Sequence, residues 1–214
     1  ENVMNRTHQF RGVSYKISCL ETIPNHPSYY SFEDESNVRD RVWHIRTGDI
    51  VFDVGSAYGS YALTALSQGA AYVYAWSPQG HPGEKTEADT LTESLAMNGW
   101  TDRCTIYRSG IYSQDGYLNT MTQEISAEPS PGNDYVIKVS RLDAWFSNFS
   151  ATLPLIRRLT PGAKWWMKLD VEGAEVEVLK SAKSVLTCLR PTICVENHNF
   201  KIPTVEQDVR ELLL

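Results

Sequence analysis

No apolar run in these 214 residues approaches the roughly 20 needed to cross a bilayer, which excludes an integral membrane segment. Cysteine is scarce and poorly spaced for metal work. Cys19, Cys104, Cys188 and Cys194 form no CxxC pair and have no histidine at zinc-finger spacing, so buried, reduced thiols are expected. Positive charge is also short, with 20 Lys and Arg against 26 Asp and Glu. That balance disfavours any general affinity for a phosphate backbone, which needs clustered cations, and makes a small or neutral substrate the expectation. Internal repeats and a signal-peptide h-region are absent, and the chain opens on Glu1 rather than Met. We expect a cytoplasmic address and a segment upstream of Glu1. The sequons at Asn5 and Asn148 would matter only on a secretory route.

What the chain does have is alternation. From Ser36 onward apolar strand-like runs alternate with amphipathic segments, the pattern of βαβ units and a mostly parallel sheet. Strands are expected at Ile50 to Val54, Tyr72 to Trp76, Thr105 to Arg108, Trp165 to Leu169 and Thr192 to Val195. Helices are expected at Ser36 to Ile45, Gly59 to Gln68, Glu84 to Met97, Ala174 to Ser184 and Val205 to Leu214. Residues 1–35 lack the alternation and read as a lead-in or cap, with a possible strand at Val13 to Leu20; residues 36–214 form the main domain. Ser113 to Asp134 is rich in polar residues, Pro and Gly, and reads as an irregular insertion with a hairpin turn at Asp115-Gly116.

The chemistry concentrates in Asp53-Val54-Gly55-Ser56-Ala57-Tyr58-Gly59, an acid at the end of a buried strand followed by a glycine-flanked loop into a helix. Glycine permits positive φ and close backbone approach, and a helix start offers unpaired N–H groups, so such a loop can seat a nucleotide-like ligand. A dinucleotide site would want GxGxxG and an acid closing the second strand, whereas this loop reads Gly-Ser-Ala-Tyr-Gly and that strand ends in Trp76-Ser77-Pro78. Nicotinamide binding is therefore disfavoured.

Gly48-Asp49-Ile50-Val51-Phe52-Asp53-Val54-Gly55, taken with Lys168-Leu169-Asp170-Val171-Glu172-Gly173-Ala174-Glu175, resembles the FkbM-type methyltransferases. Val73-Tyr74-Ala75-Trp76, Asn98-Gly99, Leu142-Asp143 and Arg190-Pro191 leading to Glu196 and His198 extend the likeness over roughly Thr47 to His198. The resemblance implies a class I, Rossmann-like, three-layer αβα sandwich. It also implies S-adenosylmethionine as cofactor and methylation of a hydroxyl on a sugar, glycolipid or natural-product-like small molecule. It places Asp53 and the loop from Gly55 through Ser56, Ala57 and Tyr58 to Gly59 near the methionine and ribose parts, Ser109 and Gly110 near the adenine, and Asp170 beside the cofactor.

Two departures stand out. Where the family has an acid for the ribose hydroxyls this chain has Ser77, which weakens cofactor binding unless Glu84 substitutes. The C-terminal edge hairpin that this fold commonly adds is also missing from the pattern, so either the chain is truncated or lead-in strands cover that edge.

Asp170, Glu196 and Asn197 end adjacent strands at the carboxyl edge, an arrangement of oxygen donors that suits Mg²⁺ as well as cofactor positioning. His198, just past the last strand, is the expected general base, with Asp170 and Glu196 beside it. The competing reading from another class is a catalytically silent binding module. Oligomeric state is not legible.

Overall fold

The computed structural model describes residues 3–20, 32, 35–78, 85–129, 135–196 and 204–213. At its centre lies β3 (Ile50–Val54), whose five residues are all buried. A strand buried on both faces has no reason to alternate, and only the buried Asp53 interrupts its apolar run. Around it the sheet has the order β11-β10-β3-β4-β5, every neighbour parallel, with β4 spanning Tyr72–Trp76, β5 Cys104–Tyr107, β10 Trp165–Leu169 and β11 Thr192–Val195.

The two faces carry separate cores. On one, Val51, Val73 and Trp166 meet Leu63 and Leu66 of α2 (Ser60–Ser67) and Leu91 and Leu95 of α3 (Glu87–Asn98), with Trp43 sealing the layer beyond α1 (Ser36–Val42). On the other, Phe52, Val54 and Met167 meet α4 (Leu142–Phe149), α5 (Leu153–Leu159), α6 (Glu175–Lys180), α7 (Lys183–Leu189) and α8 (Val205–Leu213) through Phe146, Leu153, Val178, Val185 and Val209. This is the expected three-layer αβα sandwich. Among the described residues, no helix is long and apolar enough to cross a membrane.

Within the expected irregular insertion, Ser113 to Asp134, the chain forms two strands, β7 (Gly116–Asn119) and β8 (Ile125–Ser126), which join the flanking β6 (Gly110–Ile111) and β9 (Val136–Ser140) in a second sheet of order β6-β9-β7-β8. Its hairpin turns between Asn119 and Ile125, where the Asn119 carboxamide oxygen accepts from the Met121 and Thr122 amides. Asp115-Gly116 is not a hairpin turn, since β6 and β7 do not pair with each other: Gly116 opens β7, and the Asp115 carboxylate accepts from the Arg141 amide and guanidinium.

The lead-in forms a hairpin, β1 (Val3–Phe10) against β2 (Val13–Leu20), turning at Arg11-Gly12 with both residues at positive φ. It packs on the helical layer rather than on a sheet edge. The Ser18 amide donates to Ser94 Oγ, Asn98 of α3 bonds the Lys16 backbone in both directions, and the Tyr15 hydroxyl meets Thr64 Oγ1 of α2. Among the described residues no strand covers the outer edge of β11.

Asp49 ties the start of β3 to the start of β10. It is 3% exposed, and its carboxylate accepts from the amides of Arg46 and Lys164 and from the Trp166 indole N–H. Asp49→Ala would leave three donors short of a partner in a place water reaches poorly, so we expect a loss of about 2 kcal/mol, read by thermal denaturation. A melt unchanged from wild type would show that these bonds carry no stability.

Candidate functional site

Three strands, β10, β3 and β4, deliver loops to the carboxyl edge of the sheet, where ligands of open α/β folds bind. After β3 the backbone turns through Gly55 (φ 82°), Ala57 (φ 44°) and Gly59 (φ 85°) into α2. The Gly55 and Ser56 amides both donate to the Trp76 carbonyl, and Ser56 Oγ adds a bond to it at 3.3 Å. A Cβ on Gly55 would lie 1.7 Å from the Asp170 carbonyl oxygen, so only glycine lets the β3 and β10 loops close on each other. The β10 loop mirrors this strain, with Glu172 at φ 55° and Gly173 at φ 104°.

These loops floor a cavity of about 340 Å³, a size suited to a cofactor. Gly55 and Ala57 line it, as do Trp76, Pro78 and Gly110; Ile111, Leu118, Ile137 and Val139 of the second sheet give it an apolar wall. Carboxylates come from Glu87, Asp170 and Glu172. The second sheet is thus part of the site, with Thr120 and Gln123 of its hairpin turn at the rim.

Below this edge lies a charge network that sequence reasoning missed. Lys168, 5% exposed and next to last in β10, donates to Asp170 Oδ2 at 2.7 Å and rests 4.5 Å above the Tyr61 ring. Desolvation alone would lower its pKa, but the charges of Asp53 and Asp170 hold it above the ordinary value. Asp53, opposite Lys168 in register, is fully buried. Burial pushes its carboxyl up to about 6, against the opposing pull of Lys168 and the Ala62 amide bonded to Oδ2. The fully buried Arg39 of α1 pairs with Glu35 at 3.5 Å and stands over the same tyrosine ring at 5.5 Å. Burial raises Glu35, while Lys168 and Arg39 pull it down. The signal for all this was a lone lysine inside an otherwise apolar strand.

The expected site residues therefore fall into groups. Gly55, Ala57, Gly110 and Asp170 line the cavity. Asp53 faces the α2 layer beneath it, Ser56 is turned inward on Trp76, and Gly59 caps α2 against Leu91. Tyr58 packs on the adjoining core. Ser77 is fully buried, its amide bonded to Tyr107 and its Oγ without a hydrogen-bond partner, and Ser109 sits half-buried beside Gly110. Glu196 follows β11, its amide donating to the Leu169 carbonyl next to Asp170. Asn197, His198 and Glu84 lie outside the described residues. Among those described, no group of three or more His, Cys, Asp or Glu is arranged to hold a metal, and the Lys168 ammonium, itself a cation, sits directly on Asp170. The thiols are all free; Cys19 and Cys104 are buried as expected, whereas Cys194 is only half-buried and Cys188, on α7, is exposed.

The methyltransferase FkbM domain model matches residues 53–214. No curated protein matches the chain significantly. Methyltransferase FkbM from Methylobacillus flagellatus superposes with a TM-score of 0.54 at 17% identity, covering 81% of this chain and 39% of that one. A putative SAM-dependent methyltransferase from Streptococcus mutans gives 0.48 at 10% identity, over 99% of this chain and 46% of that one. Trm5b from Pyrococcus abyssi gives 0.44 at 14%, over 99% and 47%. The chain spans about two fifths of the length of the Methylobacillus protein.

Proposed function

The chain belongs to the FkbM methyltransferase family, and on that premise we propose that it binds S-adenosylmethionine in the carboxyl-edge cavity and methylates a hydroxyl oxygen. The observation that carries this reading is the cavity itself. A glycine loop with no room for a Cβ, an apolar wall and three carboxylates suit a ligand with a flat base at one end and net positive charge at the other. Gly55 and Ala57 would hold its methionine part, with Asp170 and Glu172 facing the ammonium, and Gly110 with Ile111, Ile137 and Val139 would hold the base.

When bound, S-adenosylmethionine supplies an electrophilic methyl group on its sulfonium. The acceptor hydroxyl must lose its proton, and we assign that work to the groups past β10 and β11. Asp170, oriented by Lys168, and Glu196 position the hydroxyl, and His198, two residues further along, takes the proton. Most of the acceleration then comes from alignment. The acceptor class, a sugar, glycolipid or natural-product-like small molecule, rests on the family's character.

Calorimetric titration is expected to give micromolar binding of S-adenosylmethionine and no binding of NAD. S-adenosylhomocysteine, which lacks the sulfonium charge, should bind several-fold more weakly beside three carboxylates. Absence of binding would favour a catalytically silent relative. Transfer of labelled methyl to amine but not hydroxyl acceptors would overturn the oxygen assignment.

A further inference from the structure

The order β10-β3-β4-β5 lays the cavity floor out as a row of stations. Asp170 marks the end of β10, Gly55 that of β3, Trp76 to Pro78 that of β4, and Gly110 the segment after β5. A ligand with its amino-acid end by β10 and β3 and its base by β5 must present its sugar at β4. A vicinal diol there needs hydrogen-bond acceptors, and a carboxylate is the strongest.

Among the described residues, the end of β4 and the two residues after it offer no free side-chain acceptor. The Trp76 carbonyl is already shared by the Gly55 and Ser56 amides and Ser56 Oγ. The Ser77 side chain is fully buried and Ser77 does not line the cavity, while Pro78 has no side-chain acceptor. Glu87 lies on the cavity wall instead, in the first turn of α3, the helix that follows β4. Its carboxylate makes no hydrogen bond or ion pair among the described residues, whereas the neighbouring capping box, Thr86 with Asp89, engages both of its side chains. Glu87 is coupled by charge to Tyr58, Asp170 and Glu172. It adds to the desolvation that pushes the Tyr58 phenol up to about 12, and Asp170 and Glu172 add to the desolvation that raises Glu87 itself.

Building on the cofactor assignment above, we infer that Glu87 is the acceptor for the ribose hydroxyls, supplying from helix α3 the carboxylate that Ser77 does not supply from strand β4. Glu87 is a specificity-determining residue for a ribosyl ligand over a deoxyribosyl one.

The test is a calorimetric cycle on the full chain with S-adenosylmethionine and its 2′-deoxyribosyl analogue. Wild type is expected to bind the analogue about tenfold more weakly, the weight of a charge-assisted hydrogen bond. Glu87→Ala is expected to lose about tenfold for S-adenosylmethionine and to show no further loss for the analogue. Glu87→Gln, which keeps the side-chain length and removes the charge, should lose most of the same factor; the intact Thr86 cap keeps α3 in place, checked by an unchanged melt. Full affinity in Glu87→Ala overturns the inference. So does weaker binding that keeps the tenfold deoxy penalty, because Glu87 would then act only as a distant charge. A wild-type chain that binds neither ligand overturns the cofactor assignment first.

Discussion

Gly55→Ala is expected to abolish S-adenosylmethionine binding in calorimetry and to lower the melting temperature by roughly 10 °C. The added Cβ would lie 1.7 Å from the Asp170 carbonyl oxygen and 2.8 Å from its carbon. Both are backbone atoms of the facing loop, so no side-chain rotation relieves the clash, and the β3 and β10 loops must part. Overpacking and a left-handed backbone angle together cost about 3 kcal/mol or more. Asp170 moves with its carbonyl, so the cavity floor and a carboxylate that lines it shift together.

Gly12→Ala separates the two contributions. Gly12 has a similar φ of 79°, yet nothing lies within 4 Å of where its Cβ would stand. It should lose only about 1 kcal/mol and keep full binding. If Gly55→Ala melts and binds like Gly12→Ala, the loop is an ordinary turn and the cofactor sits elsewhere.

The central sheet was readable because its strands are short, mostly apolar runs, interrupted in β3 and β10 only by the buried Asp53 and Lys168. Ile50–Val54, Tyr72–Trp76, Trp165–Leu169 and Thr192–Val195 fall where the sequence pattern puts them. The second sheet was not readable. Its strands run two to five residues, most of them half-buried or exposed, and its pairing of Gly110 with Val139 and of Gly116 with the same residue joins distant segments. Distance also hid a helix break. The run from Ala174 reads as one helix, but it divides at Ser181 because Asp143, 41 residues away, accepts from the Ser184 amide and supplies the start of α7. Within the site, the glycine loop and Asp170 were legible from spacing. Glu87 was not, since nothing in a helix start says which cavity it borders.

Lys168→Met should be the most damaging change outside the glycine loop, and its cost should depend on pH. The methionine fills much of the same volume but removes the ammonium that faces Asp53 and Asp170. Leaving buried carboxylates without their cation costs about 3 to 5 kcal/mol. Asp53 sets the sign. Its folded pKa, about 6, lies above its ordinary 3.8, so the folded state binds the proton more readily than the unfolded chain does. Stability from this group is therefore greatest below 3.8 and falls as pH rises through the folded value. Removing Lys168, which pulls that value down, moves it higher still and extends the fall toward neutrality. The gap in melting temperature between wild type and Lys168→Met should accordingly widen from about pH 6 to about pH 8, with the protonated Asp53 sparing the variant at the acid end. A gap that stays constant with pH would mean that Lys168 supports the sheet by packing alone, and that Asp53 draws its compensation from Arg39 and the Ala62 amide.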